Sequence, residues 1–380
     1  MNSTITSSAH SSPTPPAWVE QAWTETVRKI ERTSRRIGAT FPHVSKGGHY
    51  DDALPHWWTN GFWPGLLWLV QRETHDERLA QLAIACEDKL DGPLAEYYQL
   101  DHDVGFMWGP TSVARHRLTG NPESRRRGLI AASHLASRFN PRGRFFRAWN
   151  WHQPGVAIID CLMNLPLLFW ASRELKDPRY RHMAVDHADT VLRHFLRSDG
   201  TSRHIVALDP DTGEFVESMA GQGFGAESAW SRGNAWALYG LALAFRHSGE
   251  VRFLDAAKRV AGCFLAQLPE DHVPHWDFSA PRTASTPRDS SAGAIAASGL
   301  LEISQHVAPA EAGQWREAAT RLTRSLFESY GAWDTDEEAL LLKATGNLPG
   351  KDNIEVPLIY GDYYFVESLV KLRGQEGLFW

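Results

Sequence analysis

The stretch Leu162-Met163-Asn164-Leu165-Pro166-Leu167-Leu168-Phe169-Trp170-Ala171-Ser172, with the Lys176-Asp177-Pro178 turn and residues 179–195 behind it, decides the fold. Its first part is apolar almost all round, the pattern of a helix buried on every side. In the second part Ala184, Ala188, Val191, Leu192 and Phe195 share one helical face, while Arg181, Asp186 and Arg193 lie elsewhere. That single stripe predicts a helix lying outside the first one. Asp and Pro are good helix starters, so Lys176-Asp177-Pro178 reads as a tight turn between the two. The unit is a hairpin of one inner and one outer helix.

The unit recurs. Thr74-His75-Asp76, Thr119-Gly120-Asn121-Pro122, Ser248-Gly249-Glu250 and Ala308-Pro309-Ala310 are connectors of the same kind. Gly65–Val70, Ala235–Phe245 and Ala294–Ile303 are further all-round apolar segments. Inner helices are expected to begin near Gly61, Gly105, Asp160, Gly233, Ser291 and Gly361. Five are followed by an outer helix, and the amphipathic opening segment, Trp18 to Ile37, supplies the sixth. The expected architecture is all-α, an (α/α)6 barrel of six helical hairpins. Strand-like alternation is scarce, apart from a predicted hairpin around His204–Asp209 and Thr212–Val216. No linker divides the chain, so residues 17–380 read as one catalytic domain. Residues 1–16, rich in Ser, Thr and Pro without an apolar core, read as a disordered lead-in and not a secretory signal.

Composition narrows the function. The 380 residues carry a net charge of -6, which argues against a nucleic-acid binder. No apolar run approaches the roughly 20 residues needed to cross a bilayer. Cys86, Cys161 and Cys263 are far apart and odd in number, which argues against a disulfide scaffold and predicts a cytoplasmic protein. Sixteen tryptophans are far more than a core needs and suggest a cleft that stacks on rings, sugars first.

The segments preceding the inner helices are rich in Trp, His and Asp: residues 56–63, 101–106, 149–160, 222–236 and 288–291. All fall at one end of the inner ring, so their polar side chains should converge on one mouth. Asp160, flanked by apolar residues, should have its charge disfavoured, which suits a general acid near neutral pH. A plain helix cap is the bland reading. Asp103 is the second carboxylate, with Asp101 its rival; facing Asp160, it would raise one of the two pKa values further. His204, Gln222, Arg232 and Trp236 form a polar and aromatic group. Arg232 could hold a substrate carboxylate, or simply pair with Glu227 or another acid. Trp58, Trp149 and Trp236 could stack on sugar faces, or be core. Asp289 or Ser290 reads as a helix cap, and Arg125-Arg126-Arg127 as a solvated face. The chain shows no phosphate loop, no Cys/His metal cluster and no nucleophile elbow.

At these residues the chain resembles the unsaturated glucuronyl hydrolases, glycoside hydrolase family 88. The resemblance rests on Phe41-Pro42-His43-Val44-Ser45, Trp58-Thr59-Asn60-Gly61-Phe62-Trp63, His102-Asp103-Val104-Gly105-Phe106, residues 159–168, Trp230-Ser231-Arg232-Gly233-Asn234-Ala235-Trp236, Trp276-Asp277-Phe278, Arg288-Asp289-Ser290-Ser291-Ala292 and Gly361-Asp362-Tyr363-Tyr364. The family fold is an (α/α)6 barrel. The resemblance implies a hydrolase removing a 4,5-unsaturated glucuronic acid from the non-reducing end of lyase-generated oligosaccharides. It implies that Asp160 protonates C4 and helps water add at C5. It implies that Asp103 supports the ring hydroxyls and the developing positive charge. Trp58, His102, Trp149, His204, Gln222, Arg232 and Trp236 would line the sugar site, with no metal or organic cofactor. The chain departs from the family at Trp57 and Asn60, where relatives often carry Asp. Residues 343–357 lack the serines of sulfate-accepting relatives, which makes sulfated disaccharides weaker candidates.

Three alternatives carry different tests. An unsaturated rhamnogalacturonyl hydrolase shares a related barrel, but the His-Asp-Val-Gly-Phe and Ile-Asp-Cys segments favour the glucuronyl enzyme. A sugar epimerase would need a histidine pair, and none stands out. A non-catalytic carbohydrate-binding protein would need no buried acid. The expected partner is an unsaturated uronic-acid oligosaccharide, with the protein a monomer or small homo-oligomer and neither nucleic acid nor membrane bound.

Overall fold

The computed structural model describes residues 15–375 and 379–380. Most of the 1–16 lead-in lies outside the described residues. Helix α1 (Ala17–Ile37) is followed by two short strands, β1 (Ser45–Lys46) and β2 (His49–Tyr50). Hairpins then follow in order: α2 (Phe62–Thr74) with α3 (Glu77–Lys89), a short α4 (Asp91–Glu96), and α5 (Val104–Trp108) continued through a π segment into α6 (Ala114–Thr119) and paired with α7 (Pro122–Ser137). Strands β3 (Phe139–Asn140), β4 (Phe145–Phe146) and β5 (Val156–Ile158) precede α8 (Leu165–Leu175) and α9 (Pro178–His194). Strands β6 (Ile205–Leu208) and β7 (Phe215–Met219) come next, then α10 (Ser231–Ser248) with α11 (Val251–Ala266), α12 (Ser290–His306) with α13 (Pro309–Tyr330), and α14 (Ile359–Leu372).

The expected inner and outer rings are present. Every residue of α14 is buried, as is every residue of α10 up to Ala244 and of α12 up to Ile303. In α9 only one stripe is buried, including Ala184, Ala188 and Val191. The inner helices touch in sequence around the ring, and α14 packs on α2 to close it. Helix α1 is the outer helix of that closing hairpin and packs on α14 and α13. Across the seam Arg373 Nε lies 3.0 Å from Glu20 Oε1, and its Nη1 lies 3.0 Å from Glu73 Oε2. One hydrophobic core runs from Val19 to Trp380.

The turns work as their residues predict. Asp76, Asn121 and Asp177 each accept a hydrogen bond from a backbone N–H two or three residues on, capping the next helix. His75, Gly120, Lys176 and Gly249 take left-handed conformations that end the preceding helix. Two other glycines let helix starts meet. A Cβ at Gly61 would lie 2.0 Å from the carbonyl oxygen of Phe106, and one at Gly105 would lie 2.5 Å from Asn164 Cα. The first turns of α2 and α5, and the turn leading into α8, therefore crowd together.

Three features differ from the sequence reading. Asp160 lies in a 3-10 turn, Ile159–Asn164, and α8 begins only at Leu165. The predicted hairpin forms, but β5 pairs with β6 to make it a three-stranded sheet. Arg127 is not part of a solvated face. It is buried, with its guanidinium 2.5 Å from Asp91 and 2.8 Å from Asp88, because α7 packs over α4 there.

Candidate active site

The loops before the inner helices surround one cavity of about 740 Å³. Its lining includes Trp58, His102, Asp103, Trp149, Asp160, His204 and Gln222, seven of the nine residues singled out from sequence. Asp101 also lines it. Arg232 and Trp236 do not. Trp236 is fully buried and packs against Phe106 at 5.2 Å and Tyr364 at 5.4 Å. It lies on the second turn of α10, already inside the core. Arg232 Nη1 donates to Asp289 Oδ2 at 2.6 Å and to Thr345 O at 2.6 Å, and Nη2 donates to Gly346 O at 2.6 Å. Its guanidinium is thus committed to Asp289 and the 343–357 loop, not to Glu227, which pairs with Arg197 and Arg203. Gln222 Oε1, at 3.5 Å from Nη2, stands between Arg232 and the cavity. Asp289 is the cap expected of it, accepting from Ala292 N at 3.2 Å.

Asn164 ties the Asp103 carboxyl to the backbone of Asp160. Its Nδ2 lies 3.4 Å from both Asp103 Oδ1 and the Asp160 carbonyl oxygen, while its Oδ1 accepts from Phe106 N at 2.8 Å. Asn164 stands inside the apolar run 162–172, and the close approach at Gly105 is what brings it against Asp103. Neither aspartate caps a helix with its side chain. Asp101 does the turn work instead, accepting from Asp103 N at 2.9 Å. Asp101 thus shapes the turn before α5 without capping the helix, and none of the three aspartates caps a helix with its side chain.

Asp103 is buried and Asp160 half-buried at the cavity wall, both surrounded by protein, and the electrostatics follows from that desolvation. Burial pushes the Asp160 carboxyl up to about 7, against a partial offset from Arg232, and its Oδ1 has no hydrogen-bond partner. Burial, then the neighbouring Asp101 and Asp160, hold Asp103 well above the usual carboxylate range. Asp101 is raised to about 6 by burial. His102, 3.3 Å from Asp103, is held well below its ordinary value by burial and then by Arg138. His204 is lowered to about 3 by burial and Arg232. It accepts from Gln222 N at Nδ1, 3.1 Å, which leaves the proton on Nε2 at the cavity wall. Asp101, His102 and Asp103 bring ligand atoms within 4.8 Å of one another.

Aromatic rings frame these acids. Trp58 packs on Tyr360 at 5.1 Å and Phe106 at 5.6 Å, and Trp149 contacts His102 at 5.8 Å. Sequence reasoning passed over Tyr98 and Gln99, and gave no individual role to His56, Asn150, Trp151, His152 and Asn347 within the segments it named; all of them, with Trp57, line the cavity. The opposite wall, residues 219–222, is followed by a loop anchored on Asp277, which accepts from Phe224 N at 2.9 Å and Ser228 Oγ at 2.7 Å.

Comparison with known proteins identifies the family. Residues 30–347 match the family model described as Glycosyl Hydrolase Family 88. The chain is 36% identical over 370 residues to the unsaturated glucuronyl hydrolase of Bacillus sp. (strain GL1), covering 94% of this chain and 98% of that protein. It is 34% identical over 330 residues to the unsaturated chondroitin disaccharide hydrolase of Streptococcus pyogenes serotype M1, covering 85% and 83% of the two chains. The crystal structure of unsaturated glucuronyl hydrolase from Bacillus sp. GL1, described as responsible for the degradation of glycosaminoglycan, superposes with a TM-score of 0.92 at 35% identity, over 95% of this chain and 99% of that one.

Proposed function

The chain belongs to Glycosyl Hydrolase Family 88, and from that premise we propose that it removes a 4,5-unsaturated glucuronic acid from the non-reducing end of lyase-generated oligosaccharides. The observation that carries the mechanism is the pair Asp103 and Asp160, both raised towards the protonated form and lining one cavity, with Asn164 tying the Asp103 carboxyl to the Asp160 backbone.

In this reading the Asp160 carboxyl gives its proton to C4 of the enol ether. The C4=C5 π electrons form the new C4–H bond, and positive charge develops at C5 and the ring oxygen. Asp160, now a carboxylate, takes a proton from water as the water oxygen bonds to C5. The hemiketal opens with cleavage of the bond between C5 and the ring oxygen, giving a keto acid. The hemiacetal left at C1 expels the next sugar as an alcohol. Asp103, neutral in the free site, holds ring hydroxyls; a lining without Lys or Arg does not oppose the cationic transition state, and the carboxylate left on Asp160 lies beside it. An acid near 7 suits protonation of carbon at neutral pH. His102 and His204, both neutral, position the sugar without adding positive charge. Residues 17–380 act as the catalytic domain.

The same reading puts the protein in the cytoplasm. Cys86, Cys161 and Cys263 are free thiols, at home in a reducing compartment. Among the described residues, no helix is long and apolar enough to cross a membrane.

The test is a panel of lyase products from chondroitin, hyaluronan, heparin, gellan, xanthan and ulvan, followed by loss of the ultraviolet absorbance of the conjugated C4=C5 bond. Decay with any member is expected. Flat traces across the panel with folded protein would overturn the reading, and binding without decay would point to a carbohydrate-binding protein.

A further inference from the structure

All sixteen tryptophans are described, and fourteen are buried or half-buried. The two exposed ones, Trp151 at 69% and Trp57 at 40%, both line the cavity described above. Tyr98, 76% exposed, lines it as well. An indole left in water forfeits a large burial gain, so exposed aromatics gathered at one opening call for a ligand.

The rings are held in place. Trp151 stacks on Trp149 with centroids 6.2 Å apart and planes 21° apart. Trp149 is braced in turn by His102 at 5.8 Å and His152 at 5.1 Å. Trp57 meets His43 edge-on at 5.4 Å. Pinned rings lose little freedom when a flat ligand lies on them. The rings accompany the acids in a single cavity, so they serve whatever extends from the scissile bond. The lining contains no Lys or Arg, so a sulfated or carboxylated second sugar would find no cation there.

We propose that Trp151, Trp57 and Tyr98 form an aromatic platform for the sugars beyond the scissile bond, taking neutral pyranose rings and favouring chains longer than a disaccharide. The proposal rests on the glycosidase reading of the same cavity. It adds a subsite and a charge preference to that reading.

The test uses the full chain and an unsaturated disaccharide and tetrasaccharide that share the same neutral second sugar. The 6-sulfated form of the disaccharide is the third substrate. The native protein is expected to show a kcat/KM about tenfold higher for the tetrasaccharide, the size of one good ring stack. In Trp151→Ala that ratio should fall towards one, with Trp151→Phe between the two, and the sulfated disaccharide should be the slowest substrate. Trp151 is exposed, so an unchanged thermal midpoint is expected to show that the variant folds. Calorimetric binding of the tetrasaccharide is read in parallel, and weaker binding by Trp151→Ala is expected whether or not turnover occurs. Equal kcat/KM for the two lengths in the native protein would overturn the platform. So would an unchanged length ratio or unchanged tetrasaccharide affinity in Trp151→Ala, or a preference for the sulfated disaccharide. Absence of turnover with all three substrates would instead count against the glycosidase reading.

Discussion

The two ends of the barrel hold buried carboxylates in opposite states. At the mouth, Asp103 and Asp160 face no basic side chain across the cavity and are pushed up by burial. At the far end, where α12 and α14 finish, Glu302 is more deeply buried than either. Burial alone would raise it too, but Lys371, His306 and Arg246 hold it well below the usual carboxylate range. Lys371 Nζ lies 3.1 Å from Glu302 Oε2 and donates to Tyr239 Oη at 2.9 Å, and that hydroxyl donates to Glu367 Oε1 at 2.5 Å. The indole of Trp380 donates to Glu367 Oε2 at 2.7 Å. Desolvation acts at both ends, and a well-placed ammonium decides whether it makes an acid or an anchor.

The largest break in this contrast is Asp160→Asn. It keeps the shape and removes the proton, so kcat should fall about a thousandfold, within the ~10²–10⁴ range of acid–base catalysis, with oligosaccharide binding retained. Unchanged turnover would remove Asp160 from the chemistry. At the other end, Lys371→Met strands two buried glutamates. A loss of about 3–5 kcal/mol in urea unfolding is expected, and a change below about 1 kcal/mol would show the cluster to be passive.

Titration should sharpen the contrast further, because the two ends have opposite signs. The folded pKa of Asp160 is about 7 against 3.8 for the free side chain. The folded state holds that proton more tightly, so stability from this group falls as pH rises from about 4 to about 7 and levels above. Glu302 is lowered from 4.5, so its contribution is present above that value and is lost as pH falls below it. Urea midpoints of Asp160→Asn should therefore be flatter between pH 4 and 7 than those of the native protein; parallel curves would refute the shift. The smallest effect expected is at the bridge. Asn164→Ala removes the tie between the Asp103 carboxyl and the Asp160 backbone and should lower kcat about tenfold, the cost of a slightly misplaced group, with KM little changed. A rise in KM alone would make Asn164 a binding residue.

The ring of hairpins was legible because burial on all sides and burial on one side leave different periodicities, as residues 162–195 show. Convergence of Asp103 and Asp160 was legible because both precede inner helices. Local pattern could not show where Arg232 points, since Thr345 and Gly346 lie more than a hundred residues away. Nor could it show Asn164 as a bridge, which depends on a missing Cβ at Gly105. The interruption of the second inner helix by a π segment at Gly109–Val113 also escaped, because the run 104–119 looks continuous to a 3.6-residue count.

The closing seam has a consequence for how the protein is made. Helix α1 is synthesised before the other described helices, yet its apolar stripe of Val19, Ala22, Trp23 and Ile30 belongs to a hairpin whose other half, α14, starts at Ile359. Glu20 and Arg373 meet across more than 350 intervening residues. A nascent chain that has assembled five hairpins is an open arc with an uncovered edge at each end. It remains so until α14 is synthesised, so the earliest helix is the one that waits longest in water.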